Sequence, residues 1–380
     1  MTIALILFSL SVLFLCIVLV GYPALVFLLA IILPRKVDER HFSPRATIII
    51  PCYNEHEVIK RKIENTWSLD FPQNQLEVIV IDSASDDGTS EMLDEISGKY
   101  PIKVLRQSQR KGKASAINEA LKEASGEIIF LTDADALLGR GAITTMVRNF
   151  ADPSVGAVVA KYKMSGKSML SKSVSVLFSL FREKIRHYES IVDSSSYFTG
   201  EFLAFRKNLI EKIDEDAIAD DQFILLDIRR KGYRCVTEPD IVVSEYVPFQ
   251  TTGTLEHRCR TMYGTLHVSA KYKDLLFRKK YGLFGCFIFP MSLARIILLP
   301  WACFFAETTF LYLLISTSVS IFSASLLAFV IVLLALVTFK REAIAAMFSI
   351  PILQVAMVLG TIDFLVGNSR YEVWPKLKKS

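Results

Sequence analysis

The chain of 380 residues is 52% hydrophobic, has a mean hydropathy of +0.37 and carries a formal net charge of +5. That apolar excess excludes an ordinary soluble protein, and the modest charge, with no nucleic-acid-binding motif, excludes nucleic acid as the partner. Cys16, Cys52, Cys235, Cys259, Cys286 and Cys303 form no Cys-x-x-Cys pair and no Cys/His set with zinc spacing, which excludes a thiolate metal site.

In chain order, residues 1–34 hold no charged side chain. About 20 apolar residues cross a bilayer core as a helix, so this segment reads as an N-terminal transmembrane helix. A secretory signal is excluded by its length and by the missing basic start. Arg35 and Lys36 follow directly and place that side in the cytoplasm, where the cysteines stay reduced.

Residues 44–250 are charged and mixed, and by size form one cytoplasmic domain. The run 47–50 reads as a strand ended by Pro51, and 55–67 has helical spacing. A second strand at 76–81 ends in Asp82, and a helix at 88–96 follows an Asp-Asp-Gly turn. A short strand at 102–105 precedes a helix at 113–124, with apolar positions at Ala116, Ile117, Ala120 and Leu121. The apolar run 127–132 then ends in Asp133-Ala134-Asp135. This alternation predicts an α/β fold with a mostly parallel, Rossmann-like sheet. Ligands of such sheets bind at the carboxyl ends of the strands. Three polar clusters fall at that edge: Tyr53-Asn54-Glu55, the stretch from Asp82 to Asp87, and Asp133-Ala134-Asp135. Two carboxylates one residue apart can hold a hard divalent cation, which in turn can hold a diphosphate. Further on, 202–205 reads as a strand. Asp220-Asp221 opens an amphipathic helix that Gly232 ends.

Basic residues are thickest at Arg258, Arg260, Lys271, Lys273, Arg278, Lys279 and Lys280, where anionic lipid headgroups would attract them. Residues 251–299 read as interfacial amphipathic helices. The stretch 283–299 is placed at the membrane surface because Arg295 at mid-membrane is costly; a true span is the alternative. Residues 300–367 read as transmembrane helices, with spanning-length segments at 298–317, 319–339 and 343–366. Residues 368–380 form a basic tail.

Several motifs, in order, carry a resemblance. Pro51-Cys52-Tyr53-Asn54-Glu55, Ile79-Val80-Ile81-Asp82 with Asp86-Asp87-Gly88-Thr89, and Lys111-Gly112-Lys113 leading to Asn118 are the first three. Asp133-Ala134-Asp135, Thr199-Gly200-Glu201 and Ala219-Asp220-Asp221-Gln222 complete the set. Across 44–250 the chain resembles the family 2 inverting glycosyltransferases, in the membrane-embedded branch that includes hyaluronan, chitin and cellulose synthases and exopolysaccharide transferases. The resemblance implies a GT-A domain, a UDP-sugar donor, a lipid-linked or saccharide acceptor, membrane lipids as neighbours, and Mg²⁺ or Mn²⁺ as cofactor. It implies that Asp82 meets the uracil ring and that Tyr53 and Glu55 flank base and ribose. Asp135, with Asp133 beside it, would hold the metal and the sugar-diphosphate.

Physical argument adds to this. Lys113 begins a helix, so its ammonium and the free backbone N–H groups can meet phosphate together. An inverting transfer needs a carboxylate to take the acceptor's proton; register with the family's usual Glu-Asp pair, where Asp220 stands in place of the Glu, implies Asp221 as the candidate base. Plainer roles stand next to each: a turn or cap for Asp82, helix capping for Asp220 and Asp221, and a turn for Gly200 and Glu201 of the acceptor-side loop. Arg258 and Arg260 fall where processive synthases carry Gln-x-x-Arg-Trp; they can clamp a diphosphate or meet lipid headgroups. Here the glutamine and tryptophan are missing, which argues against hyaluronan, chitin or cellulose as product and leaves processivity open. The alternatives are a processive synthase that also secretes its polymer, and a non-catalytic sugar-nucleotide-binding membrane subunit.

Overall fold

The computed structural model describes residues 1–165, 182–246, 251–316 and 341–367. At its centre is a seven-stranded sheet: β1 (Ala46–Cys52), β2 (Leu76–Asp82), β3 (Lys103–Arg106), β4 (Ile128–Thr132), β5 (Val155–Ser165), β6 (Phe202–Arg206) and β7 (Arg234–Tyr246). The strand order is β3-β2-β1-β4-β6-β5-β7. β1 pairs in parallel with β2 and β4, and β2 with β3. β6 runs antiparallel between β4 and β5, and β5 pairs in parallel with β7. The sheet is therefore mixed but mostly parallel.

Both faces are covered, which is why the strands read as continuous apolar runs. On one face Ile48, Ile50, Val78, Val80 and Phe130 pack with α2 (His56–Trp67), α3 (Thr89–Ser97) and α5 (Ala142–Arg148). On the other, Ile49, Ile79, Ile81, Ile129 and Leu131 pack with α4 (Lys113–Glu123) and α7 (Asp220–Arg230). Each fully buried isoleucine contributes about 1.5–3 kcal/mol, against about 0.5–1 kcal/mol of lost rotamer freedom. Cys52 lies opposite Asp82, and Ile49 opposite Leu131. The three parallel strands therefore release their loops at one edge.

Among the described residues two helices are long and apolar enough to cross a membrane: α1 (Thr2–Ile32) and α9 (Phe284–Ser316). They lie side by side, with Phe8 stacked on Phe310 at 5.9 Å and Tyr22 against Phe287 at 5.4 Å. α9 runs unbroken through Pro300, where the sequence places a boundary between interfacial and spanning helices. Proline removes one helical hydrogen bond, but a packed apolar helix tolerates that loss, and Pro300 is buried with its carbonyl accepting from Gln354 Nε2 at 3.3 Å. The start of α9 packs against the sheet domain. Phe284, Ile288 and Phe289 join the core of the sheet domain. Arg295, the reason for expecting a surface position, is paired with buried Glu189 at 3.2 Å.

α8 (Thr251–Lys271) and α10 (Arg341–Val366) cross closely. A β-carbon on Gly360 would lie 2.7 Å from the Cys259 carbonyl oxygen, so only glycine fits the crossing. The expected segment at 319–339 and the tail at 368–380 lie outside the described residues.

Candidate active site

The loops after β1 and β2 are tied to each other. Asn54, at φ +55°, donates its backbone N–H to Ser85 Oγ at 2.8 Å. Its side chain exchanges bonds with Asp86, Nδ2 to Oδ1 at 2.6 Å and Oδ1 from the Asp86 N–H at 2.9 Å. The Glu55 N–H donates to Thr89 Oγ1 at 2.9 Å. Ala84 sits at φ +57°, a conformation that costs an L-residue about 1–2 kcal/mol. Asp82 offsets that cost by accepting from Ser85 N–H at 3.1 Å and Ser85 Oγ at 2.5 Å, and from Ser90 Oγ. Asp82 is thus buried and shapes its own loop. Tyr53 lies beneath the Arg110 guanidinium, 3.8 Å from the ring centroid. Arg110 escapes the sequence reading, although it opens the basic run that includes Lys111 and Lys113.

The deeper half of the site centres on Lys113. Gly112, at φ +92°, turns the chain so that Lys113 becomes the first residue of α4. Its Nζ donates to Asp133 Oδ1 at 2.8 Å and lies 3.6 Å from Asp220 Oδ2. These carboxylates hold the ammonium charged well above the ordinary lysine range, against the opposing effect of burial. A β-carbon on Gly200 would come 3.4 Å from Lys113 Nζ and 4.0 Å from Asp221 Oδ2, so the missing side chain keeps this space open. Asp221 Oδ1 accepts from the Gln222 N–H at 2.7 Å. Burial, reinforced by the Asp220 charge, pushes the Asp221 carboxyl up to about 7. Burial also raises Glu201 to about 7, with Asp133 adding to it. Tyr197 is pushed to about 12 by burial and the Asp221 charge, so its hydroxyl stays protonated.

Arg260 is buried on α8, and Asp220 and Glu256 act on it as negative charges while burial lowers it to about 10. Gly264, on the same helix, would clash with Ile218 if it bore a β-carbon, at 2.9 Å. The glycine thus lets α8 approach the chain just before Asp220. Arg258 lies about 200° around the helix axis from Arg260.

Lys62 is a residue the sequence reading missed. It lies on α2 and is fully buried. Its Nζ donates to Thr132 Oγ1 at 2.7 Å and to the Ala136 carbonyl, clamping both ends of the Asp133-Ala134-Asp135 loop from below. Burial lowers its ammonium to about 7, with Asp133 and Asp135 pulling it back up. The only signal in the sequence is a lysine on the apolar stripe of Ile59 and Ile63. Lys62→Met keeps the volume but leaves two buried acceptors unsatisfied, so unfolding free energy should fall by about 1–3 kcal/mol. Donor KM should rise with it. Thermal unfolding and donor titration check this; unchanged donor KM would contradict the clamp.

Among the described residues no group of three or more acidic, histidine or cysteine side chains makes a complete metal cage. The donors present still fit a divalent cation shared with a diphosphate. Asp133 and Asp135 are two carboxylates, and burial and Asp135 hold Asp133 above the usual range. Glu201 Oε2 is buried with no hydrogen-bond partner. A cation would relieve this crowding.

The structure therefore brings Lys113, Asp133, Gly200, Glu201, Asp220, Asp221 and Arg260 together, with Tyr53, Glu55 and Asp82 in the adjoining loops. These acids, with the two cations Lys113 and Arg260, lie at the carboxyl edge of the parallel strands. Residues 47–214 match Glycosyl transferase family 2. Poly-beta-1,6-N-acetyl-D-glucosamine synthase of Staphylococcus aureus is 27% identical over 223 residues, 57% of this chain and 54% of the relative. The enzyme of the same name from Staphylococcus epidermidis matches to the same extent. The match thus spans about half the length of these curated relatives. Among solved structures, the mannosyltransferase PcManGT from Pyrobaculum calidifontis, in complex with GDP-Man and Mn²⁺, is 28% identical with a TM-score of 0.76. That likeness covers 95% of this chain and 99% of the other. The chain carries a family 2 glycosyltransferase domain related to the exopolysaccharide synthases.

Proposed function

We propose that the protein transfers a sugar, with inversion, from a UDP-sugar to a lipid-linked or saccharide acceptor at the cytoplasmic face of a membrane. The observation that carries this reading is the meeting of Lys113, Asp133, Asp220 and Asp221 at the carboxyl edge of the sheet. In the proposed reaction Asp221 accepts the proton of the acceptor hydroxyl while that oxygen attacks the anomeric carbon and the bond to the diphosphate breaks. Lys113 and Arg260 face the charge that grows on the departing diphosphate. Asp133 and Asp135 would hold Mg²⁺ or Mn²⁺, which when bound neutralises part of that charge. Tyr53, Glu55 and Asp82 form the nucleoside side, with Arg110 stacked on Tyr53. Gly200 and Glu201 form the acceptor side.

The apolar α1 and α9 support a membrane location, and Arg35 with Lys36 support a cytoplasmic catalytic domain. GDP is the second candidate nucleotide, favoured by the GDP-Man in PcManGT. The test is nucleotide release by the detergent-solubilised protein over UDP- and GDP-sugars with Mn²⁺, with and without membrane lipid extract. Acceptor-dependent release from one donor is the expected result. Silence with every donor would sink the reading. Chelation by EDTA should abolish release and added Mn²⁺ restore it; activity indifferent to EDTA would contradict the metal assignment.

A further inference from the structure

Four chain segments converge on one buried carboxylate. Glu189, on α6 (Lys184–Val192), is 0% exposed. Its Oε1 accepts from the Tyr22 hydroxyl of α1 at 2.5 Å and from Arg295 Nη2 of α9 at 3.2 Å. Its Oε2 accepts from the Ser196 N–H at 2.9 Å. Arg295 closes the ring: it lies 4.8 Å from the Tyr22 ring centroid and donates to Ser196 Oγ at 3.4 Å. Ser196 belongs to the loop that ends in Thr199-Gly200-Glu201.

That loop is held from the catalytic side too. Gln222 Nε2, next to Asp221, donates to the Ser196 carbonyl at 3.5 Å. Ser195 Oγ donates to the Tyr197 carbonyl at 2.9 Å, and the Arg182 guanidinium lies 4.6 Å from the Tyr197 ring centroid. The Tyr197 hydroxyl feels the charges of Asp221 and Glu201. A lone buried carboxylate would cost several kcal/mol. Here its oxygens accept from Tyr22, Arg295 and the Ser196 N–H.

We propose that Glu189 is a positioning residue: through Ser196 it sets the loop that presents Tyr197 and Glu201 to the acceptor beside Asp221. The apolar helices α1 and α9, which supply Tyr22 and Arg295, are then part of the acceptor site and not only a membrane attachment. This rests on Asp221 being the base on the acceptor side.

The test compares full-length wild type with Glu189→Gln, Tyr22→Phe and Ser196→Ala in detergent. Three readouts are taken: the thermal shift produced by UDP with Mn²⁺, donor hydrolysis without acceptor, and release stimulated by titrated membrane lipid extract. Glu189→Gln should raise the acceptor concentration needed and cut stimulated release about ten- to a hundredfold. Its nucleotide shift and hydrolysis should match wild type. Tyr22→Phe and Ser196→Ala, which each remove one bond of the ring, should show the same split more weakly. Equal loss of hydrolysis and stimulated release, or wild-type acceptor dependence in all three, overturns the proposal. If Glu189→Gln shows no nucleotide shift and so has not folded, the other two decide by the same criterion. A wild type without stimulated release would instead overturn the reading of Asp221.

Discussion

Asp221→Asn should cut transfer by about 10²- to 10⁴-fold, the range that a positioned general base supplies, while nucleotide binding survives. Asparagine keeps the size of the side chain and can still accept from the Gln222 N–H, so that bond in the first turn of α7 persists. It cannot take a proton. The same group sets the pH dependence of the wild type. Burial and Asp220 hold the Asp221 carboxyl at about 7, and only the ionised form is a base. The rate at low donor and acceptor concentration should therefore rise with pH up to about 7, falling about tenfold per unit below it. Initial rates from pH 5 to pH 9 check this. A flat profile, or loss of nucleotide binding in Asp221→Asn, would remove Asp221 from the role.

Lys113→Met is the second large effect, on folding as well as rate. Lys113 is the cation that sits between Asp133 and Asp220. The Lys113–Asp133 pair is part-buried, so removing the cation leaves partly screened, uncompensated charge and costs less than the roughly 3–5 kcal/mol of a fully buried pair. The sign with pH follows from the carboxyls. Asp133, Glu201 and Asp221 are all held above the usual carboxylate range. Near pH 4 Glu201 and Asp221 are protonated in the folded protein and tolerate the missing cation. As pH rises through about 7 these two ionise against each other, so the stability deficit of the variant grows. The wild-type contribution of Lys113 itself persists across that range, because its own value is raised and it loses charge only above the ordinary lysine range. Thermal unfolding of both proteins at pH 5 and pH 8 measures the difference. A deficit that shrinks with pH would mean that the ammonium does not serve the carboxylates.

Much of the domain is legible in the sequence because its central strands are buried on both faces. Continuous runs such as Ile48-Ile49-Ile50 have no other stable use than a covered parallel strand, and the strand ends then place their polar clusters at one edge. β5 and β7 are not anticipated. β5 shares no simple connection with its neighbours: it pairs with β6 on one side and with the much later β7 on the other. The continuity of α9 is likewise hidden. Arg295 and Pro300 both signal an interruption when their partners, Glu189 and the packed surface around Gln354, are out of view.

By itself the sequence determined the alternation of strand and helix, the apolar segments and the acids that gather at the strand ends. These follow from local periodicity and from the backbone direction of a parallel sheet. Only the tertiary structure decided how those groups are used. Asp82 bonds its own serines, Lys62 lies beneath the Asp133-Ala134-Asp135 loop, and Lys113 pairs with both Asp133 and Asp220. The reason is that a buried charge takes its role from whichever opposite charge or hydrogen-bond partner the fold brings within reach. Those partners lie as far apart in the chain as Lys113 and Asp220, or Tyr22 and Glu189.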